Sequence, residues 1–297
     1  MSAIFTFGVA FGQQPLTNDL TRKTLIFQSC SLPITSNLEE NSHLFIGHSY
    51  GSPIESEYDD FIAPNVFNLI KKYGDKFKSI TFTGDVFSVP ALSKWEKLND
   101  LKILNQDIFI SPGNHDIGRP DLKDVFKLSP FGKKDYPFVI PSANAYFFSS
   151  SHNWNMGSDP FKSTISAATL HNFPIVIDDS TSSSWSVSDT TILMINQLEN
   201  EKIFIARHNI PISNLLKFAN STKEMSSELD NVENFVLDFD KNVDYFWIIG
   251  DGGAFKTLPR LTCAKYKNHT FLINGVGELE GDSVIILNKG KLYQYIL

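Results

Sequence analysis

Short apolar runs recur along this chain, and nearly every one stops on a Gly or on a small cluster of polar side chains. Leu44-Phe45-Ile46 leads into Gly47-His48-Ser49-Tyr50-Gly51, and Ser79-Ile80-Thr81-Phe82-Thr83 into Gly84-Asp85. Ile108-Phe109-Ile110 leads into Ser111-Pro112-Gly113-Asn114-His115-Asp116. Lys202-Ile203-Phe204-Ile205-Ala206 runs into Arg207-His208-Asn209, and the run from Tyr245 to Ile249 into Gly250-Asp251-Gly252-Gly253. Runs this short and this rich in β-branched and aromatic residues read as buried strands. Between them lie segments of helical length. Asp59 to Tyr73 carries Phe61, Ile62, Val66, Phe67, Ile70 and Tyr73 at spacings near three and four, Ala91 to Asn99 follows, and Ile192 to Asn200 has room for a third helix. Strand–helix alternation predicts βαβ units and a largely parallel sheet.

Such sheets carry their chemistry beyond the carboxyl ends of the strands. His48, Asp85, Asn114, His208 and Asp251 each stand just past an apolar run, so on one sheet they would converge on a single cleft. Each has an ordinary explanation when taken singly: a helix cap for Asp85, a left-handed turn position for Asn114, a satisfied histidine for His208. Their shared relation to the strands favours a site for a metal ion and an anionic substrate.

The rest of the chain sets the frame. With 297 residues and 42% hydrophobic content, one large domain can bury its own core. A single domain over 1–297 is expected, with its core from about Leu44 and residues 1–43 as an N-terminal extension packed on it. The middle, from Ser142 to Asp189, is rich in Ser, Asn and aromatics, with one evident strand at Ile175-Val176-Ile177. The tail reads as strands at Thr270–Asn274 and from Val284 to Leu297, the latter folded at Asn288-Lys289-Gly290. A net charge of −7 gives no general attraction to nucleic acid. No uncharged apolar stretch approaches the ~18 residues of a membrane span. Met1 to Gly12 is apolar but lacks a basic start, so it reads as a packed segment, with a short non-standard leader as the alternative. Cys30 and Cys263 are too few for a disulfide framework. They are expected as reduced core residues, and the location as cytoplasmic.

Gly84-Asp85, then Gly113-Asn114-His115-Asp116, then the lone His208 after a strand resemble, in that order, the motifs of the calcineurin-like metallophosphoesterases. The resemblance extends from about Leu44 to the C-terminus, and takes in Ala145-Tyr146-Phe147-Phe148, Ile175 to Ser180, and Phe271 to Gly277. It implies an α/β (α+β) fold of two packed mixed β-sheets flanked by helices, a four-layer sandwich with a dinuclear site at the sheet ends. Two family motifs are altered. The opening Asp-x-His aligns with His48-Ser49-Tyr50, and the closing Gly-His-x-His with Gly250-Asp251-Gly252-Gly253.

The resemblance therefore implies a first metal set of His48, Tyr50, Asp85 and Gly253, in which Gly253 offers no side chain and a neutral phenol is a poor ligand. The second set is Asp85, Asn114, His208 and Asp251, a mixed oxygen and nitrogen set suited to Mn, Mg, Zn or Fe. One divalent ion per chain is expected. His48 is either a substitute ligand of a remodelled first site, a general base or a hydrogen-bonded filler. His115 matches the histidine that protonates the leaving oxygen, with Asp116 orienting it. Arg207 and Arg119 are candidates for holding an anionic group, or else surface charges. The function expected is a metal-dependent phosphoesterase-like hydrolase for a small phosphomonoester, phosphodiester or nucleotide-sugar pyrophosphate. The alternative is a catalytically inactive member of the fold that binds a partner or ligand.

Overall fold

The computed structural model describes residues 28–52, 61–88, 94, 97–98, 107–111, 113, 116, 175–178, 187, 192, 195–210, 224–254 and 259–297. Strands dominate them. One sheet contains β2 (Ile34–Thr35), β12 (Lys291–Ile296), β11 (Ser283–Asn288), β3 (Ser42–Ile46), β4 (Phe77–Phe82) and β5 (Asp107–Ile110), in that spatial order. The other contains β1 (Gln28–Ser29), β9 (Leu261–Tyr266), β10 (His269–Asn274), β8 (Asp244–Ile249), β7 (Lys202–Arg207) and β6 (Ile175–Ile177).

Both sheets are mixed, which corrects the largely parallel sheet expected from the strand–helix rhythm. β3, β4 and β5 are parallel, as are β10, β8, β7 and β6. Of the antiparallel pairs, β9–β10 and β11–β12 are tight hairpins, whereas β1–β9 and β3–β11 join strands remote in sequence. Lys289 and Gly290 between β11 and β12 both take positive φ, 47° and 72°, the geometry a two-residue hairpin loop demands. This bears out the turn expected at Asn288-Lys289-Gly290. Lys267, also at positive φ (52°), and Asn268 close β9 onto β10. β9 was not expected, because its Leu-Thr-Cys-Ala-Lys-Tyr sequence lacks a continuous apolar run.

Side-chain alternation divides the strands into layers. Phe45, Phe109, Ile285 and Leu287 from one sheet meet Ile177, Phe204, Ala206, Ile248 and Leu272 from the other, forming a core between the sheets. Their sequence neighbours point the opposite way. Leu44, Ile46, Ile80 and Phe82 pack under Val66, Leu69 and Ile70 of α1 (Pro64–Tyr73). Ile203, Ile205, Trp247 and Ile249 pack under Val232, Phe235 and Val236 of α2 (Glu224–Leu237). The result is a helix–sheet–sheet–helix sandwich. A period of two places every second residue of a strand on each face, and both faces here are apolar, so these strands read as unbroken hydrophobic runs.

α1 begins at Pro64, five residues later than the expected helix over Asp59–Tyr73. Proline suits the first helical position but forces its predecessor out of the helical region, and Ala63 has ψ 141°. Of the expected helix over Ala91–Asn99, the described Lys94, Lys97 and Leu98 are helical. Of that over Ile192–Asn200, Ile192, Ile195 and Asn196 are helical, and the chain turns at Gln197. α2 was not expected at all. Ala145–Phe148 lie outside the described residues.

Two further expectations are corrected. Cys30 and Cys263 are joined in a disulfide across a sequence separation of 233 residues. The thiols had been expected reduced because two cysteines make no recognisable pattern, yet β1 lies beside β9 and brings them together. Part of the expected N-terminal extension is also built into the sheets, since β1, β2 and the start of β3 all precede Leu44. Among the described residues, no helix is long and apolar enough to cross a membrane.

Candidate metal centre

The polar strand ends come from both sheets, not from one. His48 and Asp85 follow β3 and β4 in one sheet; His208 and Asp251 follow β7 and β8 in the other. Three ties hold the carboxyl ends of the two sheets against each other. The Val276 amide, after β10, donates to the Gly47 carbonyl after β3 (3.0 Å). His208 Nδ1, after β7, bonds the Thr83 carbonyl after β4 (3.1 Å). The Ser111 hydroxyl, after β5, donates to the Asp178 carbonyl after β6 (2.5 Å).

Asp85 sits where these ties converge and is 2% exposed. Its Oδ2 lies 3.2 Å from His48 Nε2, and its Oδ1 lies 3.6 Å from His208 Nε2. His48 Nε2 is in turn 3.8 Å from Asp251 Oδ1. The backbone at this point is unusual. His48 and Asp85 both have positive φ, 48° and 51°, a region that side-chain-bearing residues rarely enter without a local demand.

The bond from His208 to Thr83 fixes which ring nitrogen is the donor. A carbonyl oxygen only accepts, so Nδ1 carries the proton and Nε2 presents a lone pair in the neutral ring. That lone pair is buried, has no hydrogen-bond partner among the described residues, and faces a carboxylate oxygen. Two acceptors facing each other in a buried site repel unless a proton or a metal cation lies between them. A metal-binding imidazole whose other nitrogen is fixed by a backbone carbonyl is the usual second-sphere arrangement. The Asp85–His208 pair therefore fits a divalent ion. Among the described residues no three His, Cys, Asp or Glu side chains form a closed metal-holding group. His208, Asp85, His48 and Asp251 make a chain of contacts instead, and Asn114, the remaining expected ligand, lies outside the described residues, as do His115 and Arg119.

The other half of the expected site is differently made. Tyr50 is buried, with its ring 5.1 Å from that of His48. Gly253 does more than lack a side chain. With φ 74°, a Cβ there would come within 2.7 Å of the Arg260 carbonyl and 2.8 Å of the Gly275 backbone, so the closing histidine has no room at this position.

Asp116 is fully buried, and its carboxylate serves the backbone. Oδ1 accepts the Val86 amide (2.8 Å) and Oδ2 the Gly113 amide (2.9 Å), which ties the loop after β4 to the turn after β5. Burial, and next the negative charge of Asp85, push its pKa up to about 7 against the lowering effect of those two amides. Gly113 lies against Asp85 so closely that a Cβ would stand 2.2 Å from Oδ1. The turn that bears Asn114 and His115 is thus anchored beside Asp85 at Ser111, Gly113 and Asp116.

Arg207 is fully buried, which corrects its reading as a surface charge. Its Nη1 pairs with Asp178 Oδ2 at 3.1 Å and its Nε donates to the Asn209 carbonyl at 2.8 Å. Asp178 and Ser111 are not among the site residues expected from the sequence. Asp178 nevertheless carried the same signal as the others, a polar residue directly after the apolar run Ile175-Val176-Ile177.

No protein-family model matches the chain, and a search of curated proteins likewise finds no match.

Proposed function

We propose that the protein is a metal-dependent hydrolase of the metallophosphoesterase type, acting on a small phosphorylated substrate with one well-formed metal position. The observation that carries this reading is the buried His208 Nε2, which faces the Asp85 carboxylate at 3.6 Å with no hydrogen-bond partner among the described residues while Nδ1 is held by the Thr83 carbonyl. Asp85, Asn114, His208 and Asp251 would hold the ion. Bound there, a divalent ion polarises a phosphoryl oxygen and acidifies a water molecule. His115 supplies the proton to the leaving oxygen, and Asp116 holds the turn bearing it through the Val86 and Gly113 amides. A small phosphomonoester, phosphodiester or nucleotide-sugar pyrophosphate fits this chemistry.

The test is hydrolysis of a chromogenic phosphodiester with added manganese, comparing the wild type with Asp85→Asn and His115→Ala. Loss of turnover in both variants is expected, and turnover unchanged in both removes the site assignment. One observation favours a second reading, a non-catalytic binding protein on the same fold. Tyr50 is buried against His48, and Gly253 has no room for the side chain that would help hold a second ion. That reading predicts no turnover in the wild type.

A further inference from the structure

The described N-terminal segment runs along the outer edges of both sheets within eight residues. Gln28 and Ser29 pair with Lys265 and Ala264 at the edge of one sheet, and the Cys30 amide donates to the Cys263 carbonyl (3.2 Å). The chain then crosses. The Pro33 carbonyl accepts the Gln294 amide (3.0 Å), and Ile34 and Thr35 pair with Gln294 and Tyr295 at the edge of the other sheet. This strap caps β9 and β12, whose free amides and carbonyls would otherwise be open to strand addition by another chain.

Its own non-covalent hold is slight. Each of its strands is two residues long, too short to be stable by pairing alone. Gln28, Ser29, Ser31, Pro33 and Ile34 are exposed, and Leu32 alone reaches the core between the sheets. The strong attachment is the Cys30–Cys263 bond.

We propose that this disulfide fastens the strap across both sheets and that the chain folds in an oxidising compartment, in place of the cytoplasm expected from its composition. Structural disulfides persist in such compartments and are rare where thioredoxin and glutathione keep thiols reduced. Two thiols become one disulfide with loss of two protons and two electrons. The electron acceptor is the disulfide of a thiol–disulfide oxidoreductase, which leaves as a dithiol after exchange through a mixed disulfide.

The experiment traps thiols with N-ethylmaleimide in acid-quenched cells that make the protein, then weighs the intact chain. No adduct before reduction and two after it are expected, with the Cys30 and Cys263 peptides linked in a non-reducing digest. Two adducts before reduction overturn the proposal. Thermal unfolding tests the fastening itself. Reduction of the wild type, and the Cys30→Ser/Cys263→Ser variant, should each lower the midpoint by roughly 5–15 °C. Early proteolytic cleavage within residues 28–35 should accompany the shift. A midpoint and cleavage pattern unmoved by reduction overturn the strap role, whatever the outcome at the metal centre.

Discussion

The two oxygens of Asp85 look onto two different neighbourhoods. On the His208 side, three groups are held by neighbours: Thr83 fixes the imidazole, Arg207 is paired with Asp178, and Ser111 ties the next turn to the opposite sheet. On the His48 side, an imidazole spans two carboxylates, a buried tyrosine stands behind it, and Gly253 has no room for a side chain. The same strand end thus faces a backbone-held imidazole on one side and, on the other, an imidazole packed against a tyrosine and shared with Asp251. What keeps the His208 nitrogen turned toward the carboxylate is the carbonyl that holds the other side of its ring.

The comparison can be broken first at the support. Asp178→Ala leaves the Arg207 charge buried without its partner, and should cost about 3–5 kcal/mol of stability in denaturant unfolding. A loss below about 1 kcal/mol would mean that this pair does not hold the strand ends. At the ligand itself, Asp85→Asn should weaken manganese binding by roughly 100-fold, about 2.7 kcal/mol, in calorimetric titration with the fold intact by circular dichroism. Affinity within a few-fold of the wild type would contradict the assignment of Asp85.

An acid titration supplies a yardstick away from the site. His269 is buried in the aromatic cluster under α2, accepts the Trp247 indole N–H at Nδ1 (3.0 Å), and has its pKa lowered to about 3, chiefly by burial. The folded chain therefore leaves it neutral between pH 6.5 and about 3, while the unfolded chain binds a proton there. Stability falls on acidification through that window and is unaffected by this group above it, with a slope of up to about 1.4 kcal/mol per pH unit. His269→Phe should flatten the slope while lowering stability at neutral pH, because the indole loses its acceptor. An unchanged slope would show that other groups set the acid limit. The smallest effect is expected on the packed side of Asp85. His48→Asn should change manganese affinity by no more than about tenfold, as for a group outside the ligand set. A loss as large as that of Asp85→Asn would make His48 a ligand and erase the contrast.

Much of the architecture was open to reading from the strands alone. Runs such as Phe204-Ile205-Ala206 and Ile248-Ile249 are apolar on both faces, and only a doubly covered sheet tolerates that. The division into two sheets was not open to period analysis, because pairing depends on partners remote in sequence: β3 joins β11 across more than two hundred residues. β9 was hidden for a related reason. Its Thr262 and Cys263 are half-exposed near a sheet edge, so neither period nor hydrophobicity marked it. At the site, Asp85, His208 and Asp251 were visible as polar residues beyond apolar runs, and the structure brings each of them near His48 or Asp85. Asp178 carries that signal too, but a polar residue after a strand does not disclose whether it faces a cleft or a buried arginine. Cys30–Cys263 was beyond sequence logic altogether, since two cysteines so far apart pair only once the fold sets their strands side by side.

The central claim is that one side of Asp85 holds an ion and the other does not. Metal content per folded chain measures this most directly, by elemental analysis of protein saturated with manganese and freed of excess. About one ion per chain is expected, lost in Asp85→Asn and in His208→Ala. Two ions per chain would contradict the closed side, and none would contradict the open one.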